Sequence, residues 1–182
     1  RDFCLSRGLG DVYKRQYLDD IFGARIQTLM STDANIENAV AQADLVIGSV
    51  LIPGKAAPKL MKKAYLKNMR PGSVVVDVAV DQGGCCETTK VTYHDDPTFV
   101  VDGVVHYCVG NMPGAVPRTS TIALTNATLK YGLQIAGSGL EEACRKNDVL
   151  YSAINTYEGE ITCKNVADSF GLPHKEAKEL VG

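Results

Sequence analysis

Histidine occurs only three times, as His94, His106 and His174, and none stands at metal-motif spacing from a cysteine. The six cysteines (Cys4, Cys85, Cys86, Cys108, Cys144 and Cys163) contain no Cys-x-x-Cys pair, so the spacing predicts no metal site. Neighbouring Cys85 and Cys86 sit too close along the chain to bridge readily, and free thiols in a reducing compartment are expected. No apolar run approaches the length of a bilayer span, and no secretory leader pattern is visible. A cytoplasmic protein with no membrane contact is therefore expected. Surplus charge is missing too. A formal net charge of -2 gives no electrostatic case for nucleic acid.

What is present is an ordinary globular composition, with 45% hydrophobic and 22% charged residues over 182 positions. That length suits one domain with a substantial core, or one domain plus part of another. No internal repeat or low-complexity tract interrupts it. The most informative stretch is residues 71–84 (PGSVVVDVAVDQGG). A valine run bounded by turn residues predicts a strand covered on both faces, as in parallel sheets flanked by helices. Ligands of open parallel sheets sit beyond the carboxyl ends of the strands, which is where Asp81 and two glycines follow. Taken alone, the stretch reads first as a buried strand running into a glycine turn that Asp81 caps.

Residues 1–16 (RDFCLSRGLGDVYKRQ) are basic and show neither helical nor strand periodicity. Gly8-Leu9-Gly10 lacks the preceding strand and third glycine of a dinucleotide fingerprint, so this stretch is expected to be foreign to the domain. From Tyr17 the pattern becomes α/β. A strand is predicted near residues 25–29, then a helix capped by Asp33, then a strand over 43–51. Pro58 predicts the first turn of a basic amphipathic helix through Leu60, Met61, Tyr65 and Leu66. Beyond the valine strand, Asp102-Gly103 marks a hairpin between 98–101 and 104–109. Residues 112–117 read as a boundary. A long helix capped by Thr119 or Ser120 and closed near Gly137 and Gly139 follows, with shorter helices over 140–146 and 164–170.

Three loops thus follow apolar strands: Val50 to Gly54, Ala79 to Gly84, and Val109 to Pro113. They are expected to converge on one sheet edge, which suits a planar cofactor held by apolar and backbone groups. Ordinary strand-to-helix turns favour the same residues, and three of them together balance the two readings. Ser31 follows a predicted strand and suits either a ligand contact or a cap. Lys55, Lys59, Lys62 and Lys63 read as a solvated helix face. His106 alternates within a strand and reads as packed. Asp77, inside the valine run, is expected to accept backbone hydrogen bonds. Asp81 alone among the carboxylates has both the position and the neighbours of a reacting group.

Residues 43–54 (ADLVIGSVLIPG), 76–84 (VDVAVDQGG), 111–121 (NMPGAVPRTST) and 123–126 (ALTN) closely resemble the alanine dehydrogenase family. The likeness runs from about Tyr17 and weakens after Asn147. The resemblance implies a partial Rossmann-type parallel sheet with flanking helices in residues 17–117. A helical return segment of a discontinuous substrate domain would fill 118–182. It also implies NAD as cofactor, reversible oxidative deamination of L-alanine to pyruvate and ammonium, and a homohexamer. Matched to the family pattern, Asp81 is implied as the active-site aspartate. Val50, Leu51, Val78, Ala79 and Val80 would line the nicotinamide-ribose region, Val109, Gly110, Asn111 and Met112 would make another cofactor contact, and Ser31 an adenosine-side one. The family's phosphate loop, acidic ribose ligand and substrate-binding Arg, Lys and His have no counterpart from Tyr17 onward, so a C-terminal fragment inactive by itself is expected. Two departures stand out. Lys55 lies one residue earlier than the family lysine, and Gly110 replaces an alanine. A transhydrogenase cofactor subunit and a non-catalytic nucleotide-binding or oligomerisation module are the alternative readings.

Overall fold

A computed structural model describes residues 2–6 and 11–181. The chain divides into two compact units, one running to Val50 and resuming over Ala57–Gly110, the other formed by Leu51–Ala56 and the chain from Asn111. In the first unit, β1 (Asp2–Ser6) pairs in parallel with β2 (Ile26–Met30), and helix α1 (Asp11–Phe22) lies between them in sequence. Residues 1–16 are therefore not patternless, contrary to the sequence reading: a strand precedes Gly8-Leu9-Gly10, and α1 crosses the boundary expected at Tyr17. The five-residue strand is too short for its period to register. Gly8-Leu9-Gly10 itself lies outside the described residues.

Thr32, rather than Asp33, caps α2 (Asp33–Gln42), its side chain accepting from Asn35 N at 3.2 Å. Ile36, Ala39 and Val40 then face the core. β3 (Leu45–Gly48) pairs in parallel with β4 (Val74–Asp77), and β4 in parallel with β6 (Val104–Tyr107). β5 (Thr98–Val101) closes the order β3-β4-β6-β5 antiparallel to β6. The hairpin turn is Asp102-Gly103, both at positive φ, as the sequence predicts.

The sheet is not covered on both faces. In register, Val46, Val75 and His106 share the buried face with Asp77 and Val104. The opposite face carries Ile47, Val76 and Tyr107, and Leu45 and Ile47 there are 55% and 60% exposed. The valine run reports apolarity on both faces, whereas burial requires a covering layer, and the buried core gathers on one side. That core joins Ile36 and Val40 of α2 to Met61, Tyr65, Leu66, Met69, Val75 and Val104.

The helix predicted from Pro58 does not form. Residues 57–62 form no helix, and a 3-10 helix occupies only Lys63–Asn68. The backbone N–H groups of Leu60 and Met61 donate to Cys85 O, Ala57 N donates to Gln82 O, and Met61 O accepts from Glu87 N. These partners satisfy the backbone that a helix would have satisfied internally, so tertiary pairing overrides the helical spacing.

In the second unit, α3 (Pro117–Ser138) starts two residues before the predicted cap, because Pro117 fits the first helical position. Ser120 instead donates its hydroxyl to Pro113 O at 2.8 Å. The helix runs through Gly137 and stops at Gly139. α4 (Leu140–Lys146), α5 (Asp148–Ala153), the hairpin β7 (Thr156–Tyr157) and β8 (Glu160–Ile161), α6 (Lys164–Phe170) and α7 (Ala177–Val181) follow. Ala143, Cys144, Leu150 and Val181 form its small core.

Candidate cofactor-binding and catalytic site

Parallel pairing of β3, β4 and β6 puts their carboxyl ends on one edge, so the chain leaves the sheet there at Ser49, Val78 and Cys108. The strand ends thus share one edge as expected, while residues 51–54 and 111–113 of the loops belong to the second unit. β4 passes directly into a 3-10 helix over Val78–Gln82. Asp77, fully buried, accepts from Ala79 N at 3.1 Å through Oδ1, and from Cys85 N at 2.9 Å and Cys86 N at 3.2 Å through Oδ2. Thr89 also donates its hydroxyl to Oδ2. The strand-end role expected for Asp77 is therefore observed, and it anchors the segment that carries Asp81.

That anchoring sorts the candidates. Ala79 and Val80 are buried, whereas Val78 and Asp81 are exposed. From the neighbouring strand, Val109 is fully buried and Gly110 comes close: a Cβ built on Gly110 would lie 3.4 Å from Asp81 Oδ1. Asp81 and Gly110 are thus brought together. Val50 is half-buried at the end of the β3 segment. Ser31 stands just beyond β2, in a sheet not paired to the other. Leu51, Asn111 and Met112 fall in the second unit. There Asn111 takes the left-handed conformation at φ 56, which asparagine tolerates, and opens the 3-10 helix Met112–Ala115.

Several residues that matter were not singled out by the sequence. Lys59, read as part of a solvated face, donates its ammonium to the carbonyls of Gly83, Gly84 (2.9 Å) and Cys86 (3.2 Å), holding the turn after Asp81. Lys62 pairs instead with Asp33 at 2.7 Å, which raises its pKa. In the second unit, Asn165 Nδ2 donates to Pro53 O at 2.7 Å and Ser169 to Gly54 O at 3.3 Å, so α6 holds the loop over residues 51–56. Lys55 ends 3.9 Å from Asp168, both half-exposed, a pairing of little energetic weight. The signal for these contacts is tertiary; no local pattern announces them.

Two glycines are required by close approach. A Cβ on Gly48 would meet Cys85 Sγ at 2.2 Å, and one on Gly84, at φ +74, would meet the Thr89 side chain at 2.3 Å. His106 is packed, as expected: it is fully buried and stacks on Phe99 at 5.0 Å. Its Nδ1–H donates to Val104 O at 3.0 Å, so Nε2 accepts from Thr88 Oγ at 2.8 Å. Cys85, Cys86, Cys108, Cys144 and Cys163 are free thiols. The Cys86 thiol is pushed far up, first by the Cys85 thiol beside it, then by burial and the Asp77 charge, so it is no nucleophile at neutral pH. Two buried oxygens, Ser31 Oγ and Gln82 Oε1, have no hydrogen-bonding partner among the described residues. Buried polar atoms are rarely left so, and both stand at or beside predicted ligand positions.

Residues 11–164 match the family model described as alanine dehydrogenase/PNT, C-terminal domain. The chain belongs to this family. It is 55% identical over 167 residues to alanine dehydrogenase 2 of Staphylococcus aureus (strain USA300), covering 91% of this chain and 45% of that protein. A solved L-alanine dehydrogenase superposes with a TM-score of 0.79 at 46% identity, covering 94% of this chain and 46% of that one. A transhydrogenase from Sinorhizobium meliloti is more distant, at TM-score 0.53 and 26% identity over 65% of this chain and 32% of its own. The chain spans about half the length of the relatives it matches. The family match begins at Asp11, ahead of the boundary expected at Tyr17. Among the described residues, no helix is long and apolar enough to cross a membrane.

Proposed function

We propose that the protein of which this chain is part catalyses the reversible, NAD-dependent oxidative deamination of L-alanine to pyruvate and ammonium. The observation that carries this is the position of Asp81. It is an exposed carboxylate on the 3-10 turn leaving β4, beside Gly110 of the adjacent strand end, at the sheet edge where the fold class binds its ligands. Likeness to proteins named alanine dehydrogenase supplies the substrate. The chemistry NAD would supply, once bound, is acceptance of the substrate's hydride. The chain's own residues place and polarise what reacts. Asp81 accepts hydrogen bonds from the substrate amine and the attacking water, holding them at the reacting carbon and taking up the proton. Val50, Val78 and Gly110 would line the nicotinamide end, with the buried Ala79, Val80 and Val109 packed behind them. Ser31 serves the adenosine side. The orphan oxygens of Ser31 and Gln82 suit the polar edge of such a cofactor.

The domain division belongs to the same proposal: residues 17–117 continue a cofactor domain and 118–182 return to the substrate domain; of the foreign segment expected over residues 1–16, residues 11–16 fall inside the family match. The protein works in the cytoplasm as a homohexamer. α3 supports a larger assembly, since Ile122, Leu124, Leu129 and Leu133 are 53%, 66%, 52% and 62% exposed and none of its residues is buried. The transhydrogenase reading rests on the weaker structural likeness. Purified full-length protein should reduce NAD when given L-alanine, and oxidise NADH when given pyruvate with ammonium. Hydride exchange between NADH and an NADP analogue without alanine turnover would replace this reading with the transhydrogenase one.

A further inference from the structure

Cysteine and histidine spacing predicts no metal site, yet the fold assembles donors that sequence spacing conceals. Asp77 is fully buried at the end of β4, and the turn through Gly83 and Gly84 brings Cys85 and Cys86 back beneath it. One ligand atom from each of these three residues lies within 4.8 Å of the others. Cys85 Sγ is 3.4 Å from Asp77 Oδ1, and Cys86 Sγ is 3.6 Å from Met61 Sδ. Two donors bound tetrahedrally to one zinc-sized ion stand about 3.3–3.8 Å apart, so both separations match edges of such a site. Asp77 Oδ2 is held by Cys85 N, Cys86 N and the Thr89 hydroxyl. That leaves Oδ1, which also accepts from Ala79 N, facing Cys85 Sγ. Hydrogen bonds that fix the non-ligating oxygen are how proteins orient a metal-binding carboxylate.

We propose that Asp77, Cys85, Cys86 and Met61 form a closed site for a thiophilic divalent cation of the zinc and cadmium type. Three sulfurs and one oxygen select such an ion over magnesium or calcium. Uptake breaks two S–H bonds, forms two metal–thiolate bonds and releases two protons to solvent, with nothing oxidised or reduced; it therefore strengthens as pH rises. The bound ion staples the turn after Asp81 to the end of β4 and to the segment carrying Met61. None of the four donors is assigned to substrate or NAD, so the site stands independently of the proposed reaction.

The test titrates the chelator-treated 182-residue chain with Co2+, read by thiolate-to-cobalt charge-transfer absorption, and with Zn2+ in competition. One Co2+ per chain with a charge-transfer band is expected. Cys86→Ser should weaken binding by at least about tenfold, and Thr89→Val, which acts only by orienting Asp77, by about 10–100-fold. Cys144→Ser, whose thiol lies in the other unit, should leave binding unchanged. Should Cys86→Ser fail to fold, native mass spectrometry of the wild-type chain decides instead: one Zn2+ per chain should be retained, with the mass showing the loss of two protons. A wild-type chain with no charge-transfer band, or one whose band persists in Cys86→Ser, overturns the proposal. So does a wild-type chain that retains no Zn2+ in native mass spectrometry.

Discussion

Asp77 shows how one buried side chain organises a functional edge. Its carboxylate takes the N–H groups of Ala79, Cys85 and Cys86, none of which has a strand partner at that point. Asp77→Ala would leave these donors buried and unsatisfied at about 1–3 kcal/mol each. Urea denaturation should report a loss of several kcal/mol, and a loss below about 1 kcal/mol would contradict the anchoring role. Gly110 gives the opposite expectation. An added methyl group would sit at ordinary contact distance from Asp81 and Val91, and Gly110 does not need positive φ. Gly110→Ala should therefore fold with stability within about 0.5 kcal/mol of the parent. Asp77 and His106 were readable from the sequence because a polar residue within a strand announces its own constraint. Lys59 was not, since an exposed lysine near a proline looks the same whether it points to water or to three carbonyls.

At the level of elements, the apolar strands of a parallel sheet and the Asp102-Gly103 hairpin were legible, because valine runs and turn residues carry their own local signal. The segment after Pro58 was misread as helix because spacing cannot reveal that Cys85 and Gln82 claim its backbone. Its 3-10 continuation still matters for packing: Leu66 is 1% exposed, and Leu66→Ala should cost about 2–5 kcal/mol by thermal or chemical denaturation. On α6, Asn165→Ala removes the bond to Pro53 O and should cost the chain about 1 kcal/mol by chemical denaturation. A pH effect belongs to α4. Hydrogen bonding and charge from Lys146, and then Arg145, hold the Glu142 carboxyl below its ordinary value of 4.5. A lowered folded-state pKa contributes stability that is complete above that value and disappears as pH falls through the folded one. Glu142→Gln should flatten this acid-side loss slightly, and high salt should do the same to the parent because the pair is exposed.

For the whole molecule, the sequence resemblance and the fold agree on the family, while half of the relatives' length lies outside the matched region. Two observations fit a larger assembly: one sheet face keeps Leu45 and Ile47 exposed, and α3 buries none of its residues. No sequence pattern could report that, since apolarity looks the same whether or not a partner layer is present. The 182-residue chain alone should show no alanine-dependent NADH formation, and detecting it would contradict the assignment of the activity to the longer protein. The central claim concerns Asp81, and steady-state kinetics of the full-length protein with Asp81→Asn tests it most directly. The account predicts a fall in kcat for alanine-dependent NADH formation of about 100–10,000-fold, with the NAD dissociation constant near wild type. Unchanged kcat in Asp81→Asn, in a protein that still binds NAD, would contradict it.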